Sequence, residues 1–203
     1  MVAREKQKKH TKLSKVILAS SSEVRKKMLN QYFSKVINVP HNAEEEKYKK
    51  QKKNPEDIVL RIAKEKALSV LKDYPNETII ASDQILVCEN NLLSKPKSLE
   101  EATKKLLFLR NKTHKLLSSI YVIQKGKFYF QQVKEAALYF ANISQNDIEL
   151  YVKNNKKTVL TTVGSYKIEE NSKYKFLRII EGDQETILGF PIQDLIKKIK
   201  NEK

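Results

Sequence analysis

Six residues in the first half of the chain have types that could act together on a phosphorylated, metal-bound substrate: Ser20, Arg25, Glu45, Lys66, Asp83 and Lys95. Asp83 most needs explaining. It interrupts the apolar run IIASDQILV (79–87). An unpaired carboxylate taken out of water there would cost several kcal/mol or more, so it must be neutralised, paired, metal-bound or facing a cleft. A Lys95-Pro96 pair follows at the next turn. One acid in a strand, a second in a loop, a helix N-terminus and several cations suit a metal-bound polyphosphate. There is no Walker A loop, no GxGxxG, no zinc-ligand spacing and no C-x-x-C. His10, His114 and the single Cys88 form no nucleophilic dyad and read as structural or surface residues.

The elements that would position these residues can be traced in order. KVILA (15–19) is a short strand that meets three serines and then the helical pattern EVRKKMLNQYF (23–33). Ser20 and Glu23 have capping-box spacing, with Ser22 the alternative N-cap. A helix N-terminus directly after a strand aims N–H groups and a positive dipole end into the space above a sheet, which favours an anion. Arg25, in the first turn, precedes Met28 and Leu29 by three and four residues, so it too can point along the buried side. Residues 38–53 lack periodicity, carry Pro40, three glutamates (44–46) and a lysine run, and are expected to be loop.

Asn54-Pro55-Glu56-Asp57 starts a helix expected to run to about Asp73. Its apolar stripe of Val59, Ile62, Ala63, Ala67 and Val70 also carries Lys66, which either snorkels from the edge of the core or reaches a negatively charged site. Strand, turn at Asn90-Asn91 and strand follow, then a helix capped by Ser98 and Glu101. Residues 115–123, 127–133 and 135–141 are expected to form an antiparallel hairpin about Gly126. Ser144 caps a helix to about Asn154, Lys175–Ile180 is a strand, and Pro191 opens a final helix on Ile192, Leu195, Ile196 and Ile199. Alternating elements without repeats predict an α/β class with a mixed sheet.

At 203 residues the chain is expected to hold one domain (15–203) behind a disordered basic leader (1–14). The net charge of +16 and pI of about 9.7 raise the question of nucleic acid. Arginine, however, occurs only at positions 4, 25, 61, 110 and 178, and the lysines are scattered among many asparagines, which fits a coding bias better than a selected patch. The leader and the run Lys47–Lys53 are the densest basic tracts, and both are read as solvated coil. VILA is too short for a signal or membrane segment, and the leader is rich in Lys and not in the Arg and Ser of transit peptides. One cysteine excludes an internal disulfide, so a soluble cytoplasmic protein is expected.

LASSSEVRK (18–26) resembles the A-S-x-S-P-R-R signature of the Maf family of nucleoside triphosphate pyrophosphatases. RIAKEKA (61–67), SDQ (82–84), LSKP (93–96), TH (113–114), VGSYKIEE (163–170) and GFPI (189–192) match in order, so the resemblance spans about residues 16–200. It implies a mixed sheet with flanking helices, two lobes around a deep cleft in the manner of the ITPases, and a divalent cation, Mg²⁺ or Mn²⁺. It also implies cleavage of a nucleoside triphosphate to the monophosphate and pyrophosphate, and frequent homodimers.

By the same resemblance Asp83 is the acid that activates water for attack on the α-phosphorus. Glu45, within the triplet 44–46, is the loop glutamate that joins Asp83 in holding the metal. Ser20 and Arg25 match the phosphate-binding helix start, and Lys66 and Lys95 match cations that neutralise the phosphates.

SDQ and GSYK-x-E look like the branch that hydrolyses 7-methyl-GTP; the sister branch, acting on dTTP and UTP, usually has A-D-T and a glutamine at position 169. Gln84 and Glu169 therefore match substrate-selecting positions, and a carboxylate at 169 could accept hydrogen bonds from the guanine N1–H and amino group. Glu23, Lys26, Ser94 and Ser118-Ser119 depart from the family pattern. So does Val24, where the first branch often has a tryptophan able to stack on a methylated base for about 0.5–2 kcal/mol and the second has arginine. The alternatives are a dTTP/UTP pyrophosphatase and, in another class, a basic protein on a Maf-like scaffold that binds nucleic acid or a cell-division partner. The intact catalytic set argues against the latter.

Overall fold

A computed structural model of the chain describes residues 13–51 and 53–202. The expected leader falls almost wholly outside the described residues, as does His10. Leu13 is already buried, bridging Phe33 in parallel and exchanging backbone hydrogen bonds with Tyr32 and Ser34.

In chain order the elements are β1 (Val16–Ala19), α1 (Glu23–Leu29), β2 (Val36–Val39), α2 (Glu45–Lys49), α3 (Pro55–Leu71), β3 (Thr78–Cys88) and β4 (Asn91–Leu93). Then come α4 (Leu99–Leu109), β5 (Lys112–Gln124), β6 (Lys127–Phe140), α5 (Gln145–Asn154) and α6 (Lys156–Thr161). A 3₁₀ turn at Ile168–Glu170, α7 (Asn171–Tyr174), β7 (Leu177–Glu181), α8 (Gln184–Ile187) and α9 (Gln193–Asn201) complete the chain. Seven strands form one mixed sheet in the order β2-β1-β3-β5-β6-β7, with β4 on the far end of β3. β1 pairs in parallel with β2 and β3, which requires the helical crossovers through α1 and α3. The long strands β3, β5, β6 and β7 run antiparallel. The α/β class with a mixed sheet and flanking helices is therefore the observed one.

Strand periodicity divides the core. Val16, Leu18, Ile80, Ile120 and Val122 face α1 and α9, where Leu29, Phe190, Leu195 and Ile196 cover them. Ile17, Ala19, Ile79, Ala81, Tyr121 and Ile123 face α3 through Ala63, Ala67 and Val70. A further cluster packs the far end of β3, β5 and β6 against α4, α5 and α6. Because neighbouring residues of a strand point to opposite faces, Asp83 shares the α3 side with Ile79 and Ala81, while Ser82 and Gln84 point the other way.

Several sequence expectations need correction. Residues 38–53 are not simply loop: the end of β2 and all of α2 lie there. The first helix ends at Leu29, four residues before Phe33, with Asn30 as C-cap. Its N-cap is Ser22, the alternative, whose Oγ accepts from Arg25 N at 3.4 Å, while Ser20 Oγ accepts from Ser22 N at 3.1 Å. The helix on 55 ends at Leu71, β6 runs unbroken through position 134, β7 starts at Leu177, and α9 begins two residues after Pro191. Helices α6, α7 and α8 had no sequence counterpart, being too short for a 3.6-residue period to emerge. Among the described residues, no helix is long and apolar enough to cross a membrane.

Candidate active site

Lys66 answers the question that Asp83 poses. Three turns into α3, it projects from the apolar stripe onto the sheet, and its Nζ lies 2.7 Å from Asp83 Oδ1 and 2.8 Å from Glu45 Oε1. Lys66 and Asp83 are each only 4% exposed, so the ion pair is a desolvated one and does not snorkel. Asp83 Oδ2 is buried without a hydrogen-bond partner. Opposite Asp83 across the antiparallel ladder is Ser119, whose Oγ donates to Val59 O at 2.8 Å and so ties β5 to α3 beside the acid.

Glu45 sits at the start of α2. One turn on, Lys49 Nζ lies 3.0 Å from Glu45 Oε2, and one turn back, on the loop, His41 Nε2 is 3.6 Å from Oε1. Burial would raise the Glu45 carboxyl, but Lys66 and then Lys49 outweigh it and hold it at about 2. Burial lowers the pKa of His41, and Lys66 pushes it the same way.

Arg25 is held from the opposite face of β3. Its Nη1 donates to Ser82 O at 2.7 Å and its Nε to Gly189 O at 3.1 Å, with Ser20 Oγ 3.5 Å away. Burial lowers its pKa, opposed by the charges of Asp83 and Glu45. Gly189 has a reason to be glycine: its φ is +82°, and a Cβ would stand 3.2 Å from the Gln84 amide and 3.4 Å from Arg25 Nη2. Lys95 follows β4 on a loop anchored by buried Pro96. Lys95 itself is exposed; partial desolvation and the charge of Arg25 lower its pKa, while Glu45 and Asp83 oppose the shift.

A second space adjoins this cluster. An open pocket of about 480 Å³ is lined by Val24, Gln84, Val163, Tyr166, Glu169 and Ile187, among others, and it brings together the three residues expected to read the base. Gln84 Nε2 donates to Thr186 O and Ile187 O, both at 3.0 Å, and to Ser118 Oγ at 3.1 Å. The Ser118 proton is itself given to Thr186 O, so the amide carbonyl is the part of Gln84 left free to accept. Tyr166 lies flat over Gly164, where a Cβ would approach the ring to 2.4 Å, and its hydroxyl bonds His114 Nε2 at 2.5 Å. Cys88 and His114 are buried, as expected of structural residues.

The sequence pattern of the family described as Maf-like protein matches residues 15–202. The chain belongs to the Maf family. A nucleoside triphosphate pyrophosphatase of Legionella pneumophila (strain Paris) is 31% identical over 190 residues, covering 93% of this chain and 94% of that protein. A dTTP/UTP pyrophosphatase of Pyrococcus furiosus is 34% identical over 188 residues, covering 93% and 95%. In fold, the Ham1 protein of Staphylococcus aureus is similar with a TM-score of 0.51 at 15% identity, over 93% of this chain and 100% of that one.

The Maf chain adds two residues to its site that sequence reasoning missed, His41 and Lys49. Both stand four positions from Glu45, the spacing of one helical face, and that was the available signal. The Lys47–Lys53 run is therefore not all solvated coil: the Lys49 side chain is 8% exposed. Among the described residues no three His, Cys, Asp or Glu side chains converge as a self-sufficient metal cage. Two carboxylates with one buried, unpartnered oxygen do fit a hard cation such as Mg²⁺, which takes one or two carboxylates and completes its shell with phosphate oxygens and water.

Proposed function

We propose that this Maf protein is a nucleoside triphosphate pyrophosphatase, and that its preferred substrate is a modified guanine nucleotide such as 7-methyl-GTP. The observation that carries the reaction is the buried carboxylate of Asp83, paired through one oxygen with Lys66 and without a hydrogen-bond partner at the other. Asp83 Oδ2 accepts a proton from water as that water attacks the α-phosphorus. The bond from the α-phosphorus to the bridging oxygen breaks, its electron pair stays on pyrophosphate, and the other product is the nucleoside monophosphate. Arg25, Lys66 and Lys95 balance the charge that builds on the departing phosphates. Glu45 and Asp83 would hold Mg²⁺ or Mn²⁺, which supplies charge neutralisation and lowers the pKa of the attacking water.

On this reading the nucleobase enters the pocket lined by Val24, Gln84 and Glu169. The free Gln84 carbonyl and the Glu169 carboxylate are both acceptors, which suits the N1–H and amino group of guanine. A second reading, dTTP or UTP hydrolysis, is favoured by Val24, which offers no aromatic face for a methylated base, and by the resemblance to the Pyrococcus relative.

Pyrophosphate release measured across canonical and methylated nucleotides, with and without Mg²⁺ or Mn²⁺, separates these readings. Release from none of them would refute the activity, and faster cleavage of dTTP and UTP than of 7-methyl-GTP would refute the guanine preference. Asp83→Asn should lower kcat by about 10²–10⁴-fold while the protein stays folded; near-normal turnover would remove Asp83 from the mechanism.

A further inference from the structure

Lys49 lies outside the short motifs LASSSEVRK, RIAKEKA and SDQ, yet the structure puts its ammonium against Glu45. The two oxygens of Glu45 are divided between two lysines, Oε1 to Lys66 at 2.8 Å and Oε2 to Lys49 at 3.0 Å, with Glu46 Oε1 a weaker partner of Lys49 at 3.4 Å. Through Glu45 and Lys66, Lys49 is joined to Asp83 by one chain of ion pairs, and its own side chain is 8% exposed.

Two physical considerations say what it does there. The first is exchange of partners: Glu45 must free an oxygen to hold a cation, so one of its lysines must let go. Lys66 is fixed in the middle of a seventeen-residue helix and bound to Asp83 as well, whereas Lys49 ends a helix of five. Lys49 is the one able to turn away. The second is charge. A nucleoside triphosphate neutralised by one divalent cation still carries net negative charge, and an ammonium held at 3.0 Å from Glu45 is placed to offset part of it once Glu45 turns to the cation.

We propose that Lys49 is a further triphosphate-binding residue, which anchors Glu45 in the arrangement seen here and moves its ammonium to the oxygens of the leaving pyrophosphate when substrate binds. This rests on the pyrophosphatase reading. Its contact is with the part of the substrate that becomes inorganic pyrophosphate, so the product is the probe.

Wild type, Lys49→Gln and Lys49→Arg would be compared in steady-state kinetics and in calorimetric binding of inorganic pyrophosphate, with folding checked by thermal melting. Lys49→Gln should raise KM and weaken pyrophosphate binding by about tenfold, with kcat changing less than about threefold, and Lys49→Arg should recover most of the binding. Unchanged pyrophosphate affinity in folded Lys49→Gln, or a fall in kcat alone, would make Lys49 a counter-ion of Glu45 and nothing more, leaving the pyrophosphatase reading intact. Absence of pyrophosphate release by the wild type would overturn both.

Discussion

The Lys66 ammonium is the residue on which the site's electrostatics turn, since it is shared by two acids that could not otherwise stand together. Taking it away leaves Asp83, in a desolvated position, without the direct ion-pair partner it has among the described residues. Breaking a buried pair from one side costs about 3–5 kcal/mol, far more than an exposed pair such as Lys104–Glu100 contributes. Lys66→Met should therefore lower the melting temperature by on the order of 8 °C, as well as abolish turnover. A melt within about 1 °C of wild type would mean that Asp83 is not held as a charged partner. At this scale the sequence was partly legible. Lys66 could be placed on the inward stripe, but whether it snorkelled or reached an acid depended on where Asp83 and Glu45 came to rest, and that is a tertiary fact.

Among the elements, α3 and β3 were readable because they are long enough to show their periods, seventeen and eleven residues. Helix α2 was not: five residues of EEKYK give little more than one turn, and within the triplet 44–46 nothing local says which glutamate turns inward. Lys49 was lost with it, because a lysine run looks the same whether or not one member folds back. The turn at Gly189 was visible only as part of a motif; its purpose, accepting hydrogen bonds from both Arg25 Nε and Ser82 Oγ at a position where a Cβ would press on Gln84 and Arg25, needed coordinates. Gly189→Ala should cost about 1 kcal/mol or more from the positive φ alone. It should also raise KM by displacing Arg25 and Gln84. Wild-type KM in a folded Gly189→Ala variant would show that the carbonyl can move without disturbing either side chain.

Across the whole molecule, acid sensitivity follows from groups that the fold buries. Burial lowers the pKa of His114, 1% exposed, to about 4 from an ordinary 6.5. As pH falls below 6.5 the unfolded chain takes up this proton first, so stability declines until about pH 4 and the loss then levels off, at about 3 kcal/mol. Glu45, held at about 2, extends the decline: its stabilising charge is present above about 4.5 and is lost as pH falls towards 2. Melting curves between pH 7 and pH 4 should thus be steep for wild type and flatter for His114→Gln. Equal slopes would show that His114 is not the group responsible. Alternating elements supplied the sheet class and the resemblance the family, but this link between a β5 histidine and the Tyr166 wall crosses fifty-two positions and has no local signature.

Asp83 and Gln84 are consecutive, and a strand sends consecutive side chains to opposite sides. On the function proposed here, one peptide unit separates the group that drives hydrolysis from the group that recognises the nucleobase. Neither can be relocated by shifting the strand, because a slip by one place would swap their duties. New substrate preferences in this lineage must then arise on the opposing wall, at positions such as Val24 and Glu169, where change leaves the reacting centre untouched.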